Sequence, residues 1–274
     1  MGTKTQALTA TEGGVAITSG TILRIPIAQH GKLIGPGTMV IVGRAYSTAV
    51  VMQVQINPRL TILVTTDGLV ANLNDISDAM QDGDAATQVE LDSLPAVENK
   101  GFIYVCSAKP IGGLDVDVDA ANATVSVLTV RFWNGSSWAD ISDTDGTISG
   151  GATFAVDGEI TWTTPATHVK ANLFITGDAL LKNWTTNHAN KRLLNRFGYW
   201  YRIEVSVALD SDTIVDQILA MADSREVPSE QIENQPYEYP GIHTGWDGDG
   251  CVDLDVNAGT GNGIVTLTGE FADR

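Results

Sequence analysis

Apolar and polar residues alternate along several short segments, and this alternation constrains the fold more than any other feature of the sequence. Two segments show it most clearly, LDVDVDA at 114–120 and YWYRIEVSVAL at 199–209. In an extended strand, successive side chains point to opposite faces of the sheet. Both segments are therefore predicted to be strands that turn one face toward a core.

Similar segments recur along the chain and are separated by turn residues. The 28 glycines and the frequent Thr, Val and Ile favour short strands joined by tight turns. The order of segments does not show the strand–helix alternation that gives a parallel sheet. We therefore predict a mainly β fold, an antiparallel β-sandwich or jelly roll. Residues 69–80 are the exception, because their apolar residues recur at helical spacing and predict a short helix.

Composition divides the chain into four parts. The first 20 residues are small and polar, which is typical of an extended arm without a core of its own. Three prolines in 224–246 indicate a linker or strap, and 251–271 is interpreted as a closing hairpin turning at Asn262 and Gly263 or at the preceding glycines. The predicted parts are an N-terminal arm (1–20), a β segment (21–66), a jelly-roll-like central β-sandwich domain (67–222) and a C-terminal strap with hairpin (223–274).

The chain is strongly acidic, with 33 acidic against 16 basic residues and a formal net charge of -17. Nucleic acids and anionic membranes both attract clustered Lys and Arg, so neither is an expected partner. The N-terminus lacks the apolar stretch of a signal peptide, and no segment has the length of a membrane span. We expect synthesis in a host cytoplasm, with export only inside an assembled particle.

Local spacing of metal-binding residues predicts no cofactor. The four histidines, at 30, 168, 188 and 243, are isolated from one another and from the two cysteines, and we expect them at the surface. Cys106 and Cys251 lie in apolar segments and are interpreted as small core residues. Two Asp-Gly turns, at 143–146 and 247–250, lack the ligand spacing of an EF-hand loop. A loosely bound calcium held by Asp residues from separate loops stays open as an alternative.

Motifs of enzymes are likewise not found, so we predict that the chain is not an enzyme. It has no nucleophile elbow, P-loop or dinucleotide-binding fingerprint. Glu159 lies near clustered aromatic residues but is interpreted as an outward-facing strand residue. Four tryptophans, at 133, 138, 162 and 200, are predicted to be core anchors. Trp184 and Trp246 lie in polar segments and are the candidates for surface contact.

Four short motifs occur in a fixed order in the centre of the chain: FWNGSSW at 132–138, DGT at 145–147, WTTP at 162–165 and YWYR at 199–202. This order resembles a β-sandwich module of structural virion proteins in tailed phages and prophages, either capsid decoration or tail-associated proteins. The resemblance covers roughly residues 65–220, and a polar insertion at 183–196 departs from it. The four motifs consist of turns and core aromatic residues, so the resemblance implies a fold and a location in the virion, not an activity.

Three roles are compatible with this resemblance. We expect a capsid decoration or cement protein, a homotrimer that binds the major capsid protein or other virion proteins on the outer surface and stabilises the particle. A tail, baseplate or fibre component that binds host glycans is the alternative, and a carbohydrate-active enzyme is a further one. In the first role the arm adds a strand to a neighbour. Deleting residues 1–20 is then expected to leave the body folded and to weaken attachment.

Overall fold

The computed structural model describes residues 4–9, 14–27, 33, 35–65, 73–82, 84, 86–91, 94–182, 196–222, 229–243 and 248–271. The first ten strands among them are β1 (Lys4–Ala7), β2 (Val15–Thr18), β3 (Thr21–Pro26), β4 (Gly37–Arg44), β5 (Val50–Pro58), β6 (Leu60–Thr65), β7 (Leu73–Asp75), β8 (Val89–Glu90), β9 (Phe102–Ser107) and β10 (Ile111–Ala120).

Ten further strands follow: β11 (Leu128–Trp133), β12 (Trp138–Asp140), β13 (Thr144–Asp145), β14 (Gly158–Thr161), β15 (Tyr199–Val205), β16 (Ile214–Ala222), β17 (Ser229–Gln231), β18 (Pro236–Ile242), β19 (Asp249–Ala258) and β20 (Thr260–Gly269). In the described part of the chain, helical structure is limited to α1 (Leu173–Thr176), a helical turn at 179–182, and two 3₁₀ turns, Ala79–Gln81 and Val97–Asn99. The predicted mainly β, antiparallel architecture is confirmed. None of the helices in the described residues is long and apolar enough to cross a membrane.

The chain divides into two compact units. Unit 1 contains residues 1–59 and 224–274, and unit 2 contains residues 60–223. The N-terminal and C-terminal parts distinguished in the sequence therefore belong to one unit. The first boundary falls before β6 rather than after residue 66, because β6 pairs with β9 of unit 2 over its whole length.

Unit 1 contains two antiparallel sheets that share one core. One sheet has the order β1-β20-β4-β18, with β2 also paired to β20, and the other has the order β17-β5-β19-β3. Met39 and Leu267 of the first sheet and Met52 and Leu254 of the second are at most 2% exposed and belong to the same apolar cluster. The packing is sandwich-like because the apolar faces of both sheets meet in this cluster.

The expected N-terminal arm is not confirmed in the residues described. Strands β1 and β2 pair one after the other with β20, and the Leu8 amide donates to the Val265 carbonyl between them (2.8 Å). Ile17 is 2% exposed and lies in the core of unit 1. The predicted strap also contributes strands, since β17 pairs with β5 and β18 with β4.

The predicted C-terminal hairpin is wrong. β19 and β20 lie in different sheets, and β20 pairs with β1, β2 and β4. The chain turns at Gly259, whose φ is +83°, and a Cβ there would lie 2.6 Å from the Ala49 carbonyl oxygen. Only glycine fits this corner without strain. Gly259 is one of the preceding glycines predicted as the alternative turn, whereas Asn262 and Gly263 lie inside β20.

Unit 2 also contains two antiparallel sheets. Their orders are β13-β14-β10-β16-β8 and β12-β11-β15-β9-β6-β7. Apolar side chains of both sheets, such as Leu114 and Ile218 on one and Val105 and Ile203 on the other, form its largest core cluster. β9 is buried along its whole length, because a second apolar cluster covers the other face of the six-stranded sheet.

The helix predicted at 69–80 is wrong where the structure describes it, from Leu73 onward. Leu73–Asp75 forms β7, which pairs with β6. The following residues turn so that the Ser77 and Gln81 side chains hydrogen-bond to the β6 main chain, with the Gln81 amide donating to the Leu60 carbonyl (2.9 Å). The sheet edge thus offers these residues hydrogen bonds that outweigh their helical apolar spacing.

Candidate functional site

A cluster of charged side chains lies on the outer face of the six-stranded sheet of unit 2. Arg131 and Arg202 are cross-strand partners on β11 and β15, and Glu204 follows two residues later on the same face. Its carboxylate accepts from Arg131 Nε (3.0 Å) and from Arg202 Nε (2.8 Å). The Glu204 side chain is only 5% exposed, so both guanidinium groups compensate one buried negative charge.

The segment at 171–182 covers this cluster. The Asp178 carboxylate accepts from the Leu180 and Leu181 amides and so caps the helical turn at 179–182. It also accepts from Trp138 Nε1 (2.7 Å) and lies 4.0 Å from Arg202 Nη1. One carboxylate thereby connects the covering segment, β12 and β15.

Aromatic rings enclose the Arg202 guanidinium. Its central carbon lies 4.3 Å from the centre of the Phe102 ring and 4.8 Å from that of Trp138. Burial, together with the nearby Asp178 charge, raises the pKa of Tyr104 in the same cluster. The hydrogen bond from Trp138 and the nearby positive charge of Arg202 hold Asp178, and with it the covering segment, on the sheet.

His168 is half-buried rather than at the surface as expected. Its ring makes edge-to-face contacts with Phe132, Tyr199 and Tyr201, at centroid distances of 4.6–5.5 Å. Desolvation lowers the pKa of His168 from 6.5 to about 4, against a hydrogen bond to the Trp200 carbonyl that raises it. The imidazole is therefore neutral at pH 7. His243 is exposed, as predicted, and His30 and His188 lie outside the described residues.

An open apolar groove lies beside the covering segment. It has a volume of about 590 Å³, and its lining includes Trp133, Val169, Lys170, Ile175 and Phe197. Ile175 and Phe197 are 58% and 59% exposed. Large side chains this exposed mark a surface suited to binding an apolar partner.

The other sheet of unit 2 carries an acidic face. The predicted alternation in β10 is confirmed, because Leu114 and Val116 are buried whereas Asp117 is exposed. Burial, followed by repulsion from Asp157 and Asp216, raises the pKa of Asp117. Among the described residues no three His, Cys, Asp or Glu side chains are grouped to hold a metal ion, so calcium binding stays a prediction.

The structure places the other predicted residues as follows. Trp133, Trp162 and Trp200 are buried, as predicted, and Trp138 is half-buried in contact with Trp133. Cys106 and Cys251 are buried, as predicted, one in each unit. Glu159 pairs across strands with Asp115. The two candidates for surface contact, Trp184 and Trp246, lie outside the described residues.

Neither the charged cluster nor the groove was found from the sequence. Residues 171–182 lie in a stretch of largely polar composition, but they contain apolar side chains that share a buried cluster with Trp200, including Leu173, Phe174 and Leu181. The available signal was the composition of β15, where Arg202 and Glu204 share a face with Trp200. A charged pair beside a large aromatic residue indicates a covered face rather than a solvated one.

Comparison of the chain with protein-family models, curated proteins and solved structures finds no match. The residues and their geometry therefore carry the functional proposal.

Proposed function

We propose that the chain is a structural protein of a phage virion, a decoration or cement protein that binds the outer capsid surface and stabilises the particle. The four central motifs resemble a virion β-sandwich module, and this resemblance supports a place in the virion. One of them, FWNGSSW, forms the turn from β11 to β12, where the Asn134 side chain accepts from the Ser136 and Ser137 amides. We further propose that unit 2 is this module, with a jelly-roll-like sandwich.

The observation that carries an adhesive role is the distribution of side chains in unit 2. The charged groups of the cluster bond to one another beneath the segment at 171–182, with Glu204 and Asp178 4% and 8% exposed. Apolar side chains such as Val125, Val127 and Phe197 project outward and are 59–66% exposed. Burying exposed apolar area against another protein drives association, whereas compensated and covered charges serve to hold the fold.

The charge of the chain agrees with a position outside the shell. The net charge is -17, and Asp115, Asp117 and Glu159 lie on neighbouring strands of one sheet. Packaged DNA repels such a surface, because phosphate binding needs Lys and Arg. A protein on the outer capsid surface meets no such repulsion.

The number of copies per particle tests the proposal. Purified virions would be analysed by quantitative mass spectrometry, with the major capsid protein as the high-copy standard and a tail-tip protein as the low-copy standard. A copy number close to that of the major capsid protein is expected. A copy number close to that of the tail-tip protein, or absence from the virion, would contradict a decoration role.

A further inference from the structure

Two exposed apolar surfaces lie at opposite ends of the β11–β15 pair in unit 2. The first, here called the valine patch, consists of Val125, Val127 and Val207, which are 66%, 61% and 46% exposed. The second is the groove described above. β11 runs from the patch at its start to Trp133 in the groove at its end, and β15 runs antiparallel to it.

The valine patch is held rigidly by its own backbone. Ser126, between the two valines, is 2% exposed, and its amide donates to the Gly151 carbonyl (3.2 Å). The Ser206 amide donates to the Val127 carbonyl (2.9 Å), which fixes the position of Val207. Val125 and Val127, on either side of Ser126, therefore both point outward, because side chains two residues apart in extended chain lie on the same face.

Charges of opposite sign border the two surfaces. The Ala123 amide, two residues before the patch, donates to the Asp210 carboxylate, so a negative charge lies at the edge of the patch. Lys170 lines the groove, with Nζ 5.6 Å from the centre of the Tyr199 ring. One surface thus presents projecting valines beside a carboxylate, and the other presents an apolar concavity beside an ammonium group.

The two surfaces of one copy cannot meet each other. Six residue steps separate Val127 from Trp133 in the extended chain, which corresponds to roughly 20 Å at about 3.3 Å per residue. We propose that the chain self-associates head to tail, with the valine patch of one copy bound in the groove of the next. Such a heterologous contact forms a closed ring if the rotation from one copy to the next is a whole fraction of a full turn. The inference does not depend on attachment to a capsid.

Self-association is tested by the mass of the purified full chain in analytical ultracentrifugation. The wild type is expected to form oligomers, and Val127→Asp and Phe197→Asp are each expected to reduce them to monomers, because every copy of a variant carries the same damaged surface. Ile232→Asp is the matched control, because Ile232 is also exposed (60%) but lies in unit 1, and it is expected to leave the oligomers unchanged. The measurements are made at moderate and high salt, since copies of net charge -17 repel one another.

Mixing the two variants separates a head-to-tail contact from a symmetric one. The Val127→Asp copy keeps its groove and the Phe197→Asp copy keeps its patch, so they are expected to form a 1:1 dimer that cannot extend. Val125→Asp and Ile175→Asp repeat the test at a second position of each surface, and thermal melts confirm that every variant is folded. A monomeric wild type at all concentrations, or a mixture without the 1:1 dimer, overturns the proposal. The copy number in the virion is unaffected by either result.

Discussion

At the scale of single residues, the imidazole of His168 makes the stability of unit 2 depend on pH. Its pKa is lowered to about 4 by burial, against 6.5 in the unfolded chain. The unfolded state therefore binds a proton between pH 6.5 and pH 4 that the folded state does not, and stability falls as pH falls through this window. After allowance for residual screening by solvent, the loss amounts to about 1–2 kcal/mol.

Replacing this histidine isolates its contribution. His168→Phe is expected to keep the contacts with the aromatic rings and to lose less stability than the wild type between pH 6.5 and pH 4, measured by urea unfolding. The pKa values of Asp117 and Asp143 are raised, so their protonation adds to the stability of the folded protein in acid. Both carboxylates are present in wild type and variant, so their contribution cancels when the two pH curves are subtracted. His243→Phe is the exposed control. Parallel pH curves for wild type and His168→Phe would disprove the assignment.

At the scale of elements, the N-terminal strands are part of the fold of unit 1. Ile17→Ala is expected to lower its free energy of unfolding by about 2–4 kcal/mol, because the side chain is 2% exposed in the core. Thr18→Ala, at the exposed neighbouring position, is expected to change it by less than about 0.5 kcal/mol. Denaturant titration compares the two, and equal costs would show that β2 does not pack as described.

The same strands change the expected result of truncation. Deleting residues 1–20 removes both strands that pair with one side of β20 along its length. This deletion is therefore expected to destabilise unit 1, whereas the composition of the segment alone suggests that the rest would stay folded. The small polar composition predicts an arm because alternation is hard to detect where only Leu8 and Ile17 of the described part of this segment are buried.

A strand or turn could be predicted from the sequence where its own residues specify it, and not where distant residues do. The alternation in β10 predicted its buried face correctly, whereas β15 is buried on both faces, with Trp200 and Glu204 0% and 4% exposed on the face expected to meet solvent. The closing hairpin failed because β19 and β20 each find partners distant in sequence, although the chain does turn at Gly259, one of the glycines before Asn262. The charged cluster failed because its cover at 171–182 is specified by tertiary packing.

At the scale of the whole molecule, the two units differ in how the chain builds them. Unit 2 is one continuous segment, 60–223, whereas unit 1 is completed only by the residues from 224 onward. Unit 2 has its own core, which draws apolar side chains from both of its sheets. A continuous segment with a complete core satisfies the conditions for independent folding.

The isolated segment 60–223 is therefore expected to fold on its own and to unfold in one cooperative transition, followed by circular dichroism and tryptophan fluorescence. Val105→Asp places a charge at a fully buried position of its core and is expected to abolish the transition, whereas Val125→Asp, at a 66% exposed position, is expected to retain it. If the segment melts without cooperativity, or binds a dye for exposed apolar surface before heating, its core depends on residues of unit 1. The two units would then form a single folding unit, although each has its own apolar cluster.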